Sequence, residues 1–219
     1  MDEAPAKKKK VIKKLVADTI SIKEVYELGR SLDNIENKCL FYLLYLSAAR
    51  VSEALAMKTR DIEFIFVGNE RLIIFSIRTI KRKDRPIRKV PAVIEDTVKK
   101  DKFMYEKLMS KVIEDYISDK LMEEHIFTHT DYHTVTNYFR RKLSISVDAV
   151  NKNTGKITEN IDYKIHPHYL RHCRITHLRS MYGFDALDLK QAAGWKDIKM
   201  TDTYLHMGWK NLYERMVGK

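Results

Sequence analysis

The stretch His168-Tyr169-Leu170-Arg171-His172 decides how this chain is read. A histidine and an arginine three positions apart share one face of a helix. Pro167, just before them, suits the first turn of that helix. Two imidazoles and a guanidinium make a poor apolar core and a good grip on a phosphate. Tyr204, delivered to that grip, would be a nucleophile facing an activated phosphodiester. The helix also offers His168/His172 and Cys173/His177 as pairs at metal-ligand spacing. The sequence has no CxxC and no HExxH, so no metal is implied.

The rest of the chain bounds what such a site could serve. The 219 residues carry a net charge of +11, with 32 % charged and 44 % hydrophobic residues. That is enough apolar content for a real core, and an excess of cations that attracts polyanions. Nucleic acid is the expected partner, with an anionic membrane surface as the second choice. The longest apolar run, Cys39 to Leu46, is far too short to cross a bilayer. Two cysteines, Cys39 and Cys173, are too few for a disulfide framework, which points to a reducing cytoplasm. The expected location is cytoplasmic or nucleoid-associated, or the host cytoplasm for a viral element.

Outward from the quoted stretch, the pattern is mainly helical. Residues 1–18 read as a basic flexible arm containing Lys7–Lys10, Lys13 and Lys14. Ser21 and Glu24 match a capping box that opens a helix running to Gly29. A second helix, about Glu36 to Ser47, is apolar on nearly all sides and should be central. A third begins near Val51. The period then switches to two: Ile62, Phe64 and Phe66 alternate, Gly68-Asn69 supplies a turn, and Leu72 to Ile80 reads as a second strand. A charged loop from Lys81 to Pro86 leads to a short third strand ending at Pro91. Helices are expected around 93–122 and 133–146. Between them and Pro167, residues 148–163 read as an extended loop or hairpin. The helix carrying His168 should end at Gly183, another spans about Asp185 to Ala193, and a pair of short helices covers about 199–206 and 210–217. The fold class expected is α+β, mainly helical, with one small three-stranded antiparallel sheet.

Three further pieces align with the opening motif. Ser47-Ala-Ala-Arg50-Val-Ser52-Glu53-Ala-Leu55 puts an arginine at the break between two buried helices. The loop after Ile80 carries Lys81, Arg82, Lys83 and Arg85. Gly194-Trp195 precedes Tyr204 by a short helix. In this order the chain resembles the tyrosine recombinase, or phage integrase, family. The arginine followed by x-S-E-x-L matches at Arg50, Ser52, Glu53 and Leu55. The H-x-L-R-H box matches at His168, Leu170, Arg171 and His172, and the last box matches at Gly194, Trp195 and Tyr204. The resemblance covers residues 19–219 as one catalytic domain. Family members usually carry an additional helical N-terminal domain that clamps DNA, and the expectation is a chain without it. One departure is Ala48, where glycine often stands two positions before the arginine.

The resemblance implies a site-specific recombinase that cuts and rejoins DNA through a 3′-phosphotyrosine link, with no cofactor. Arg50 and Arg171 would stabilise charge on the non-bridging oxygens. His168 or His172 would favour phenolate character on Tyr204, whose unperturbed pKa is about 10. Lys81 or Lys83 would protonate the leaving oxygen, and the residues do not separate the two. Trp195 could donate its indole N–H to a phosphate oxygen, and Glu53 would orient an arginine. Lys81, Arg82, Lys83 and Arg85 together would graze DNA. Double-stranded DNA and a homo-oligomer, a tetramer on DNA, are the implied partners. The alternatives are a non-catalytic DNA-binding protein on the same scaffold and a type IB topoisomerase-like relaxing enzyme.

Overall fold

The computed structural model describes residues 13–15, 19–80, 83–84, 86–95, 103–151 and 157–201, with only the backbone for 13–15, 147–151 and 157–161. Its centre is helix α2 (Ile35–Leu46), which follows α1 (Ile22–Arg30). Every residue of α2 from Cys39 to Leu46 is buried, as an apolar run on all helix faces requires. Asn34 caps its start by accepting from the Asn37 N–H. Ser21 and Glu24 form the expected reciprocal capping box at the start of α1. Gly29 does not stop α1, which continues to Arg30. Its lack of a side chain serves packing instead: a Cβ there would stand 2.1 Å from a ring carbon of Tyr42. That close approach lets the Tyr42 hydroxyl donate to the Tyr26 carbonyl at 2.8 Å.

α3 (Val51–Leu55) leads into a three-stranded antiparallel sheet in the order β2 (Ile62–Val67), β3 (Glu70–Arg78), β4 (Ile87–Glu95). The Gly68-Asn69 turn falls where expected, but the inward alternation of β2 fades along its length. Ile62 is buried while Phe66 is 72 % exposed, because the hairpin tip extends beyond the core. β4 does not end at Pro91 but runs through it to Glu95, opposite Ile74 in the register. A proline is tolerated there because β4 is an edge strand and Val93, two residues on, directs its N–H outward to Glu106 Oε1 at 2.9 Å. The next helix, α4 (Met104–Ile117), is therefore shorter at both ends than the expected 93–122.

The region before the quoted motif differs most. α5 (Tyr132–Lys142) ends four residues earlier than 146, and β5 (Ser144–Asn151) follows almost at once. β5 pairs antiparallel with β6 (Ile157–Lys164), so the described parts of 148–163 are two strands of one sheet, in line with the hairpin alternative. Lys13–Leu15, inside the segment read as a flexible arm, pair with β5 as β1, making a second three-stranded sheet that the sequence reading lacked. α6 (Pro167–Ser180) then carries the quoted stretch and ends before Gly183, and α7 (Ala186–Ala193) follows. Ile198–Thr201 form a single 3-10 turn. The helix expected over about 199–206 is described only to Thr201, and the one expected over about 210–217 lies outside the described residues.

A charged network crosses the core behind α6. Arg174, 1 % exposed, donates to Glu106 Oε2 at 2.8 Å and sits over the rings of Tyr45 and Tyr182. Tyr182 donates to the same oxygen at 2.7 Å. Burial pushes the Glu106 carboxyl up, but Arg174 and these hydrogen bonds outweigh it, and the group is held below its ordinary range. Burial keeps the Tyr45 phenol protonated, so it donates to His177 Nδ1 at 2.6 Å. Burial and the neighbouring Arg174 charge depress His177 to about 4.

Two outcomes follow from this network. Glu106→Gln strands a buried guanidinium and should cost about 3–5 kcal/mol in urea unfolding at pH 7. For His177, the unfolded imidazole binds a proton between pH 6.5 and 4 that the folded one refuses. Its contribution of about 3 kcal/mol is therefore complete above pH 6.5 and lost as pH falls toward 4. Urea melts at pH 7 and pH 5 should differ less in His177→Gln than in the wild type. An equal difference would mean that another group carries the acid sensitivity.

Candidate active site

The site forms where the ends of three helices meet. α2 closes at Ser47, whose hydroxyl donates to the Leu43 carbonyl at 2.6 Å and accepts from the Ala49 N–H at 3.2 Å. Between them Ala48 adopts φ +49°, the left-handed region that favours glycine. This explains why glycine suits that position in the family pattern. Here the methyl group, fully buried, offsets part of the strain.

The turn delivers Arg50 to the N-terminal cap of α3. Glu53, one turn on, accepts from the Arg50 backbone N–H at 2.9 Å and from its Nη1 at 2.8 Å. Arg171 projects from the second turn of α6 and is almost wholly buried. Its Nη1 donates to the Ala48 carbonyl and its Nη2 to the Ala193 carbonyl at 2.6 Å. Both carbonyls belong to helix C-terminal ends, where partial negative charge favours a cation. α6 is itself capped by His166, whose Nδ1 accepts from the Tyr169 N–H at 3.3 Å and whose Nε2 meets the Tyr163 hydroxyl at 3.0 Å. Arg50, His168 and Arg171 line one pocket of about 360 Å³, together with Ser52, Tyr132 and the backbone around Ala49. His168 is exposed at its rim, and His172 lies half-buried one turn further along α6.

Sequence reasoning missed Arg88, which ties this pocket to the sheet. Arg88 Nη2 donates to Glu53 Oε2 at 2.8 Å, Nε to the Ala192 carbonyl at 3.0 Å, and Nη1 to Thr79 Oγ1 at 3.0 Å. The signal was available: Ile87 and Lys89 are exposed, and strict alternation along β4 puts Arg88 on the buried face with Val90. Burial raises the Glu53 carboxyl, but Arg88 and Arg50 prevail and hold it below its ordinary range. Gly194 caps α7 at φ +65°, and a Cβ there would meet Arg88 Nη1 at 2.9 Å. Trp195 is buried in a cluster with Ala48, Leu178, Leu189 and Ala193. It lines a second pocket of about 340 Å³ with Thr79, Pro86 and Arg88, not the pocket of the two arginines. Lys83 stands exposed in the turn between β3 and β4. Lys81, Arg82, Arg85 and Tyr204 lie outside the described residues.

The comparison with known families matches the phage integrase family over residues 10–210. The chain belongs to the phage integrase family. Its fold is that of tyrosine recombinase catalytic domains. A XerH site-specific recombinase bound to its difH substrate superposes with a TM-score of 0.57 at 15 % identity, covering 89 % of this chain and 51 % of that one. XerA recombinase gives 0.55 at 19 % identity, covering 91 % and 64 %. A lambda integrase dimer bound to a COC′ core site gives 0.54 at 19 % identity, covering 91 % and 49 %. This phage integrase family chain thus spans between about half and two thirds of those proteins. Among its described residues, no helix is long and apolar enough to cross a membrane.

The two arginines on Glu53 differ in exposure, and so should their replacements. Arg88→Met leaves a fully buried carboxylate with one partner and should cost about 3 kcal/mol or more. Arg50→Met removes a partly exposed partner and should cost about 1 kcal/mol. Urea unfolding of both variants checks the order, and equal losses would show that exposure does not set the worth of each partner.

Proposed function

We propose that this chain cuts and rejoins DNA as a site-specific recombinase, through a covalent 3′-phosphotyrosine intermediate. The observation that carries this reading is the convergence of Arg50, Arg171 and His168 on one pocket, from helices far apart in sequence. Two fixed guanidinium groups suit the non-bridging oxygens of a pentacoordinate phosphorus, where charge builds in the transition state. Helix-end carbonyls and Glu53 already hold both arginines, so little reorganisation is needed when the phosphate arrives. His168 at the rim is placed to accept or share the proton of an incoming phenol.

In this reading Tyr204 is the nucleophile. Its attack forms the phosphotyrosyl bond and releases the 5′-oxygen, which takes a proton from Lys81 or Lys83. The link keeps the energy of the original phosphodiester, so a second 5′-hydroxyl can reverse the step without a cofactor. Trp195, buried beside Ala193, fits a role in seating the carbonyl that Arg171 grips. Double-stranded DNA is the partner, drawn by a net charge of +11. A tetramer on two duplexes is the working assembly that the family resemblance implies.

The test needs no known target sequence. A pool of nicked duplexes with randomised centres is incubated with the protein, and denaturant-resistant adducts are recovered. The wild type should leave protein on a 3′-phosphate, and Tyr204→Phe should leave none. Arg171→Ala should lower the adduct yield roughly 100- to 1,000-fold. Equal adduct from wild type and Tyr204→Phe would refute the mechanism. Salt-dependent binding with no adduct would identify a binding module instead.

A further inference from the structure

The pocket of the two arginines does not end at its own rim. A second groove, of about 520 Å³, adjoins it and is lined by Ser52, His125, Thr128, His129, Thr130 and Tyr132, with apolar walls from α3. Ser52 and Tyr132 line both spaces, so the two meet at these side chains. We propose that the DNA strand runs from the arginine pocket into this groove, and that Ser52 and Tyr132 hold the phosphate next to the scissile one. The assignment rests on reading the first pocket as the scissile-phosphate site.

The chemistry of the groove fits a backbone phosphate. Its lining contains hydroxyls and imidazoles and no carboxylate. Acidic groups beside the lining residues are already occupied, Glu53 by Arg50 and Arg88 among them. Glu36 accepts from Thr128 through both its N–H and its hydroxyl, and Asp131 caps α5 by accepting from the Thr134 N–H at 2.7 Å. His129 Nε2 meets Asn37 Oδ1 at 2.9 Å, so the loop from Phe127 to Asp131 is tied to the start of α2 at two places. A wall fixed in this way loses little freedom when a ligand seats. The Tyr132 ring is braced edge-on by His133, with centroids 5.2 Å apart, and Tyr132 itself is 48 % exposed. Hydroxyls of serine and tyrosine commonly position a nucleic-acid backbone without reading its sequence. Ser52 also lines the arginine pocket together with Arg50, so a strand leaving that pocket by the shared side passes it.

Two neutral hydroxyls give this contact a signature distinct from that of the arginines. Removing a cation reduces the salt dependence of binding, whereas removing a hydroxyl leaves that slope unchanged. Phosphate-ethylation interference reads the contact directly. It is run on Tyr204→Phe, which binds without cleaving, with a duplex recovered as a wild-type adduct from the randomised pool. Ethylation should block binding at the scissile phosphate and at one immediate neighbour. Adding Ser52→Ala and Tyr132→Phe should erase interference at the neighbour alone, weaken binding about tenfold and leave the salt slope unchanged. Both side chains are exposed, and urea melts should match the parent. Each single variant should give part of the loss. Persistence of the neighbour's interference in the double variant overturns the assignment. Failure of the wild type to form any adduct overturns the scissile-phosphate reading itself, which is a separate result.

Discussion

Glu53 is the constraint on which this architecture turns. A carboxylate with a wholly buried side chain carries a desolvation cost of several kcal/mol unless cations meet it. Here they come from two directions, Arg50 on its own helix and Arg88 on the sheet. The helical layer and the sheet therefore cannot separate without leaving a charge unpaired in an apolar interior. Glu106 repeats the arrangement on the far side of α6, joining α4, β4 and α6 through Arg174. Buried ion pairs of this kind add little net stability compared with apolar residues of the same volume. A slipped packing of helix on sheet would strand at least one of these ions, and that cost disfavours it.

The consequence reaches the pocket through the backbone. Arg88 takes the Ala192 carbonyl and Arg171 takes the Ala193 carbonyl, so consecutive groups at the end of α7 are gripped from β4 and from α6. The second grip of Arg171, on Ala48, ties the end of α2 into the same knot. The left-handed turn at Ala48 and the left-handed cap at Gly194 are what turn those carbonyls toward the guanidinium. Local backbone strain, helix-end polarity and buried charge thus serve one end, a cationic pocket assembled before any ligand arrives.

Much of this was legible in the residues. The all-round apolar run of α2, the capping box at Ser21 and the Gly68-Asn69 turn are local signals, and they formed the elements expected of them. His168 and Arg171 were legible as a phosphate grip and Arg50 joined them through the family resemblance, and the fold brings the three to one pocket. Arg88 was hidden because a lone arginine among Arg78, Arg85 and Lys89 looks like surface charge until the pleat is counted. Pro91 was misread as a strand end because its tolerance depends on β4 being an edge, which is a tertiary fact. The second sheet was missed for a related reason: β1 contributes only three residues, and its pairing with β5 joins segments far apart in the chain. His166 escaped notice as a cap because imidazole is an uncommon choice beside serine, asparagine and aspartate.

The edges of the central sheet differ in a way that bears on self-association. On β4, Pro91 has no N–H to offer and the Val93 N–H is already taken by Glu106. On β2, the opposite edge, the strand has no second partner among the described residues, and its tip is apolar. An open-ended filament built by strand addition needs two adhesive edges on every molecule, one to extend and one to be extended. With one edge blunted, two copies meeting along β2 would complete each other and leave nothing for a third. Through this sheet, accidental aggregation in a crowded cell would be terminated at a pair.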